Sequence, residues 1–223
     1  MIEVATKDCT ALSDSELAEM ADMCADGACG YEVGLLSKQR EEWVLVTQAR
    51  EEGSLRGFAF STLERIGGTP SLLVGVASFV RSTSAELALR SVMGDLYRRA
   101  LLAFPDEDVL VGARMCDPAA FRAYAGLADV VPRPGHRATG EERAWGRRLA
   151  KRFGTDGQLD DRVFVIQGDG GPSGLLDFSP RPAPTGAESL AELFAPVDGS
   201  RNDCLVAFGW AMAEDLAAGS LPS

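Results

Sequence analysis

The sequence contains one histidine, His136, so a mechanism that needs two imidazoles within a chain is excluded. Its five cysteines (Cys9, Cys24, Cys29, Cys116 and Cys204) are odd in number and scattered, with no Cys-x-x-Cys pair. That argues against a disulfide framework and against a zinc site, and leaves reduced, partly buried thiols. No run of 18 apolar residues occurs, so neither a membrane span nor a membrane partner is expected. The stretch up to Glu16 lacks a basic segment followed by an apolar one, which argues against a secretory signal and for a cytoplasmic protein. Bases are scarce, 22 against 33 acids, for a net charge of −11. Nucleic acid is therefore not an expected partner, because phosphate binding needs a positive field. An acidic surface suits a cationic substrate such as an amine, and equally suits plain solubility.

What is present is a hydrophobic content of 46% over 223 residues, enough for one large domain or a domain with an appendage. Charge is unevenly placed. Residues 131–155 carry seven bases (Arg133, Arg137, Arg143, Arg147, Arg148, Lys151, Arg152) against two acids, whereas residues 156–223 carry three bases against eleven acids. A basic helix and an acidic tail that pack against each other would explain both.

Ser13-Asp-Ser-Glu16 is a capping box, and Leu17, Met20, Ala21 and Cys24 follow at helical spacing until Gly27 and Gly30 break the run. A second short helix is expected over Tyr31–Lys38. Three strand-like runs come next: Trp43–Thr47, Gly57–Leu63 and the almost wholly apolar Leu72–Val80. Turn residues join them at Glu52–Ser54 and Gly67–Pro70, so an antiparallel meander is expected. Ser84 opens a long helix with an apolar stripe from Leu87 to Leu101, stopped at Phe104-Pro105. Asp108–Ala113 is a fourth strand, expected parallel to the third because a helix crosses between them. Asp117-Pro118 is an N-cap followed by proline at N1. Further on, Val130-Val131, Val163–Ile166 and Leu205–Phe208 are short strand candidates. Helices are expected after Thr139, over Leu190–Phe194 and over Trp210–Ala218. Gly168–Gly186, with Pro172, Pro180, Pro182 and Pro184, is loop-rich.

This order of elements over roughly residues 10–132 resembles the GNAT fold of acyl-CoA-dependent N-acyltransferases. The fold class it implies is mixed α/β, a mostly antiparallel central sheet flanked by helices, with an extra C-terminal helix and strand segment. Residues 1–132 would form the acyl-CoA-binding core. Residues 133–223 would be a divergent extension that completes the sheet or forms a small lobe. Two motifs carry the resemblance. The family places Val-x-Pro-x-x-(Arg/Gln)-x-x-Gly-x-(Gly/Ala) where the third strand meets the long helix. Here Val76, Arg81 and the later Leu89 match, while Ser78, Ser84 and Glu86 replace the proline and the two small residues. The second motif, Asp117-Pro-Ala-Ala-Phe-Arg-Ala-Tyr124, is similar to the family's Asn-Pro-x-Ala-x-x-x-Tyr and keeps its spacing.

The resemblance implies that Val76, Ser78, Phe79, Val80, Arg81, Ser82, Thr83, Ser84 and Ala85, together with Asp117 and Ala120, hold acetyl-CoA or another acyl-CoA as cosubstrate, with no metal. Amides at a helix N-terminus are suited to a pyrophosphate, although Glu86 would repel one unless it points away or pairs with Arg81 or Arg90. Tyr124 would protonate the departing thiolate, or would simply pack on its helix. Glu64 is the chosen general base, with Glu32 and His136 as other candidates. Cys116 allows a covalent route but reads more readily as a buried thiol. Two functions stay open. One is direct transfer of an acyl group to the amine of a small molecule or peptide. The other is a catalytically inactive scaffold acting as a binding or protein-interaction module. A homodimer is compatible with either.

Overall fold

The computed structural model describes residues 1–25, 29–183 and 186–222. Gly27 and Pro184, expected as a helix breaker and a loop proline, lie outside the described residues. Strand β1 (Ile2–Asp8) precedes every element expected from the sequence; it pairs antiparallel along its length with β2 (Leu45–Glu51). The turns Glu52-Gly53 and Gly67-Gly68 then reverse the chain twice, and each contains residues at positive φ, which glycine adopts without strain. They join β2 to β3 (Ser54–Ile66) and β3 to β4 (Thr69–Phe79), giving the expected meander. The ladder between β3 and β4 slips by one residue, so that Phe60 faces Val76 and Ser61 faces Val74, leaving Gly75 as a bulge.

Strand alternation assigns the two faces of the sheet. Thr47 Oγ1 lies 2.7 Å from Thr6 Oγ1, and the Thr6 hydroxyl donates to Asp95 of helix α3 (Ala85–Ala103). The next residue, Gln48, points the other way and donates to Glu16 of α1 (Asp14–Cys24). Helix α1 starts with the predicted capping box, and α2 (Val33–Glu42) packs against it. Apolar residues from Ala88 to Ala100 seat α3 on its face of the sheet. Strand β5 (Val109–Met115) returns parallel to β4, as the crossover helix requires. The segment after Asp117 is a 3-10 turn over Pro118–Tyr124, whose first amide is capped by Asp117 Oδ1 at 2.8 Å.

The remaining chain adds strands to the same sheet. β6 (Ala128–Val131) pairs with β10 (Cys204–Ala211), and β10 lies antiparallel to β5. The two-residue strands β7 (Leu159–Asp160) and β8 (Val165–Ile166) continue beyond β10. β8 is shorter than the predicted Val163–Ile166 because Phe164 takes a positive φ. Helix α4 (Gly140–Arg152) covers the face that holds α1, where Leu149 meets the bare backbone at Gly112. It joins the basic and acidic segments directly, through Arg143 to Asp161 at 2.8 Å and through Arg147 to the same carboxylate. The short helices α5 (Ala191–Phe194) and α6 (Ala213–Ala218) complete the chain; α6 starts later than expected because Trp210 and Ala211 still belong to β10.

At the start of α4, burial opposes the charge on Glu142. The Thr139 amide and His136 Nε2, at 2.6 and 2.8 Å, override that and hold its pKa at about 2. A depressed carboxyl stabilises the fold above its unfolded pKa near 4.5, and that stability is lost as pH falls toward 2. Glu142→Gln is expected to cost about 1 kcal/mol at pH 7. Urea unfolding at pH 7 and pH 3 checks this: the gap from wild type should shrink at pH 3, and a gap independent of pH contradicts the assignment.

Candidate active site

The two central parallel strands part company. The β4–β5 ladder ends at Val74 opposite Ala113, and β4 runs on for five more residues without β5. Its exposed edge is not left open. Strand β9 (Leu176–Asp177) lies parallel to it, with Ala77 opposite Leu176 and Ser78 opposite Asp177, and the Ala77 amide donates to the Leu175 carbonyl at 3.0 Å. The sheet is mixed and mostly antiparallel, flanked by helices, as expected. A meander, a crossover helix, a parallel strand and a gap between the two central strands are consistent with the GNAT fold.

No family model matches the chain, and no curated protein matches it either. Among solved structures, it is similar to the ribosomal-protein-S18-alanine N-acetyltransferase from Escherichia coli: 14% identity, 63% of this chain and 86% of that one covered, TM-score 0.43. It is also similar to the aminoglycoside 6'-N-acetyltransferase from Enterococcus faecium, at 11% identity over 52% and 62% of the two chains, TM-score 0.40. An acyl-CoA N-acyltransferase from Pseudomonas aeruginosa gives 16% identity over 51% and 80%, TM-score 0.37.

Of the residues expected to hold acyl-CoA, Val76–Ala85 run from the end of β4 into the start of α3, and residues 174–183 run beside them as a strap. At the inner end, Gly174 lies against Val76 and the Gly75 carbonyl so closely that a β-carbon there would sit 2.5 Å from Val76 Cγ2. Tyr31 clamps the next residue from both sides, its hydroxyl donating to the Leu175 carbonyl at 2.9 Å and accepting from the Leu175 amide at 3.0 Å. Phe178 is fully buried and meets Phe79 edge to face, with centroids 5.8 Å apart. Arg81 Nη2 donates to Ser179 Oγ at 2.7 Å. Where the pyrophosphate was expected, Ser82, Thr83, Glu86 and Arg122 share a cavity of about 330 Å³ with Pro180–Ala183.

The loop amides are partly spent as well. The Ala85 amide donates to the Ser82 carbonyl, and the Ser84 amide to Ser82 Oγ. Glu86 faces Arg122 at 3.9 Å, not Arg81 or Arg90. Val80 is tied through its amide to the Arg56 carbonyl. Ala120 is fully buried, and Asp117 is engaged as a cap.

The proposed catalytic groups point elsewhere. The Tyr124 phenol is buried and donates to the Ala207 carbonyl of β10 at 2.9 Å; burial pushes its pKa well above the ordinary value. Glu64 stands opposite Ser71, near the start of β4, and is bound to Arg152 Nε at 2.6 Å. His136 is held by Glu142 beside α4. Glu32 does line a cavity, of about 520 Å³, next to the strap. Cys116 Sγ lies 3.9 Å from Cys29 Sγ, which also borders that cavity. No group of three or more His, Cys, Asp or Glu suited to a metal occurs among the described residues.

Two features were not anticipated from the sequence. The strap was hidden in a Gly- and Pro-rich stretch whose only signal was the apolar Leu175, Leu176 and Phe178. Arg114, a lone charge in an otherwise apolar strand, is buried in the larger cavity, yet the expected strand stopped at Ala113.

Proposed function

We propose that this chain uses the acyltransferase fold as a non-catalytic binding module, in which the strap takes the course that acyl-CoA would follow. One observation carries this reading: the Ala77 amide, on the β4 edge where the cosubstrate was expected, is bonded to Leu175. Burying Leu175, Leu176 and Phe178 contributes about 2 kcal/mol each before ordering costs. A cosubstrate of micromolar affinity supplies about 8 kcal/mol in total, so displacing the strap would consume most of it. The engaged phenol of Tyr124 supports the same reading, since its proton is aimed at β10 and not at a departing thiolate.

A second reading, transfer of an acyl group from acyl-CoA to an amine, is favoured by the Gly75 bulge, which leaves β4 backbone unpaired beside a cavity on the α1–α2 face. It requires the strap to leave. Acetyl-CoA distinguishes the two. A cosubstrate at 100 times its dissociation constant stabilises a protein by about 2.7 kcal/mol. Calorimetry and thermal melting of the full chain with 1 mM acetyl-CoA are expected to show neither heat nor a shift. Saturable binding with a rise in Tm supports the enzyme instead.

A further inference from the structure

We propose that the cavity beside the strap binds a small monocarboxylate with an apolar body, its carboxylate held by the guanidinium of Arg114. This goes beyond the reading above and rests on it in one respect: Pro172–Gly174, at the inner end of the strap, form part of the cavity wall, so the strap must be in place.

The argument starts from the cost of Arg114. Its side chain projects from β5 into the interior and is 7% exposed. Its Nε is buried without a hydrogen-bond partner, and Arg114 makes no ion pair within 4.0 Å among the described residues. Arg50, Arg65, Arg99, Arg143 and Arg152 each have one. What Arg114 has is the ring of Phe153, at 4.7 Å, and the weaker, more distant charge of Glu42. A cation over an aromatic face is worth about 0.5–2 kcal/mol, whereas burying an ion costs several. The stacking fixes the plane of the guanidinium without offsetting its desolvation. Burial accordingly pushes its pKa down.

The cavity that Arg114 lines, about 520 Å³, is in the range of small-ligand sites. Tyr31, Leu35 and Phe153 supply its apolar wall, and Glu32, Glu42 and Lys38 also border it. With Lys38 and Arg114 set against the two acids the charged lining is neutral, which suits a single negative charge better than the two of a phosphate dianion. A planar guanidinium matches a planar carboxylate through two parallel hydrogen bonds; it can fork onto a phosphate in the same way, so charge is what separates the two anions here.

Sodium benzoate is the probe, with benzamide as its neutral analogue, inorganic phosphate as the competing anion, and sodium chloride to match ionic strength. Each is titrated into the full chain by calorimetry and followed by melting temperature. Wild type is expected to bind benzoate saturably at millimolar concentration or below, at least tenfold more tightly than benzamide or phosphate. Arg114→Met keeps the length of the side chain and removes the buried charge. It is expected to melt at or above the wild-type temperature and to bind benzoate at least tenfold more weakly. Arg114→Lys, which keeps the charge but loses the planar fork, covers the case in which the methionine variant does not fold; a fivefold or greater loss is expected. The proposal is overturned if wild type ignores benzoate, if phosphate or benzamide binds as well, or if benzoate affinity survives both substitutions.

Discussion

Phe178→Ala is expected to lower the stability of the protein by about 3–5 kcal/mol, the usual cost of emptying a fully buried phenylalanine site. For a chain of this length that corresponds to a fall in Tm of roughly 10 °C. The size of the effect follows from where Phe178 sits. It is completely enclosed, packed edge to face on Phe79 at the end of β4, and with the buried Leu175 and Leu176 it anchors a strap otherwise tied by a few hydrogen bonds. A segment that merely rested on the surface would tolerate this substitution within about 0.5 kcal/mol. Thermal melts of the variant and wild type decide the matter, and a change below 2 °C would mean that the strap is not part of the core.

Gly75→Ala adds one methyl group and is expected to be as damaging. A β-carbon there would stand 1.8 Å from Trp43 Cε2 and 2.1 Å from Cζ2. Trp43 cannot easily step aside. Its Nε1 donates to Gln39 Oε1 at 2.9 Å, Arg152 stacks on its ring at 5.1 Å, and the Phe153 ring packs against it with centroids 6.1 Å apart. Either the indole or the bulge must move, at a cost of about 3 kcal/mol or more. Gly34→Ala is the control: nothing lies within 4 Å of a β-carbon there, and the position is helical, so stability should hold or rise by up to about 1 kcal/mol. Urea unfolding of the two variants should move in opposite directions. Equal behaviour would mean that Trp43 does not fill the Gly75 bulge.

Much of this architecture was legible because local signals agreed with the tertiary outcome. The capping boxes at Ser13 and Thr139, the glycine turns at 53 and 67–68, and the Asp117-Pro118 cap each fix a chain reversal or a helix start through backbone chemistry alone. β1 was less legible: only Ile2 and Val4 mark its inner face, and the strand exists because β2 offers an edge. The strap was not legible at all. Residues 175–178 are strand-like only by virtue of β4 beside them, and nothing local distinguishes such a run from an apolar patch in a loop. The expected site residues are mostly gathered where the motif places them, near the end of β4 and the start of α3. Spacing could not reveal that Leu175 and Ser179 already occupy their partners, nor that the Tyr124 hydroxyl is aimed at Ala207. Such partners come from parts of the chain about 80–100 residues away, and spacing within a motif carries no information about them.

Hydrogen exchange at the Ala77 amide tests the central claim most directly. That amide is paired to Leu175 in the resting protein. The account predicts strong protection of Ala77, together with slow exchange across 175–178, and no change in either on adding 1 mM acetyl-CoA. Faster exchange across 175–178 in the presence of acetyl-CoA, with Ala77 still protected, would mean that the cosubstrate has replaced the strap, and would contradict it.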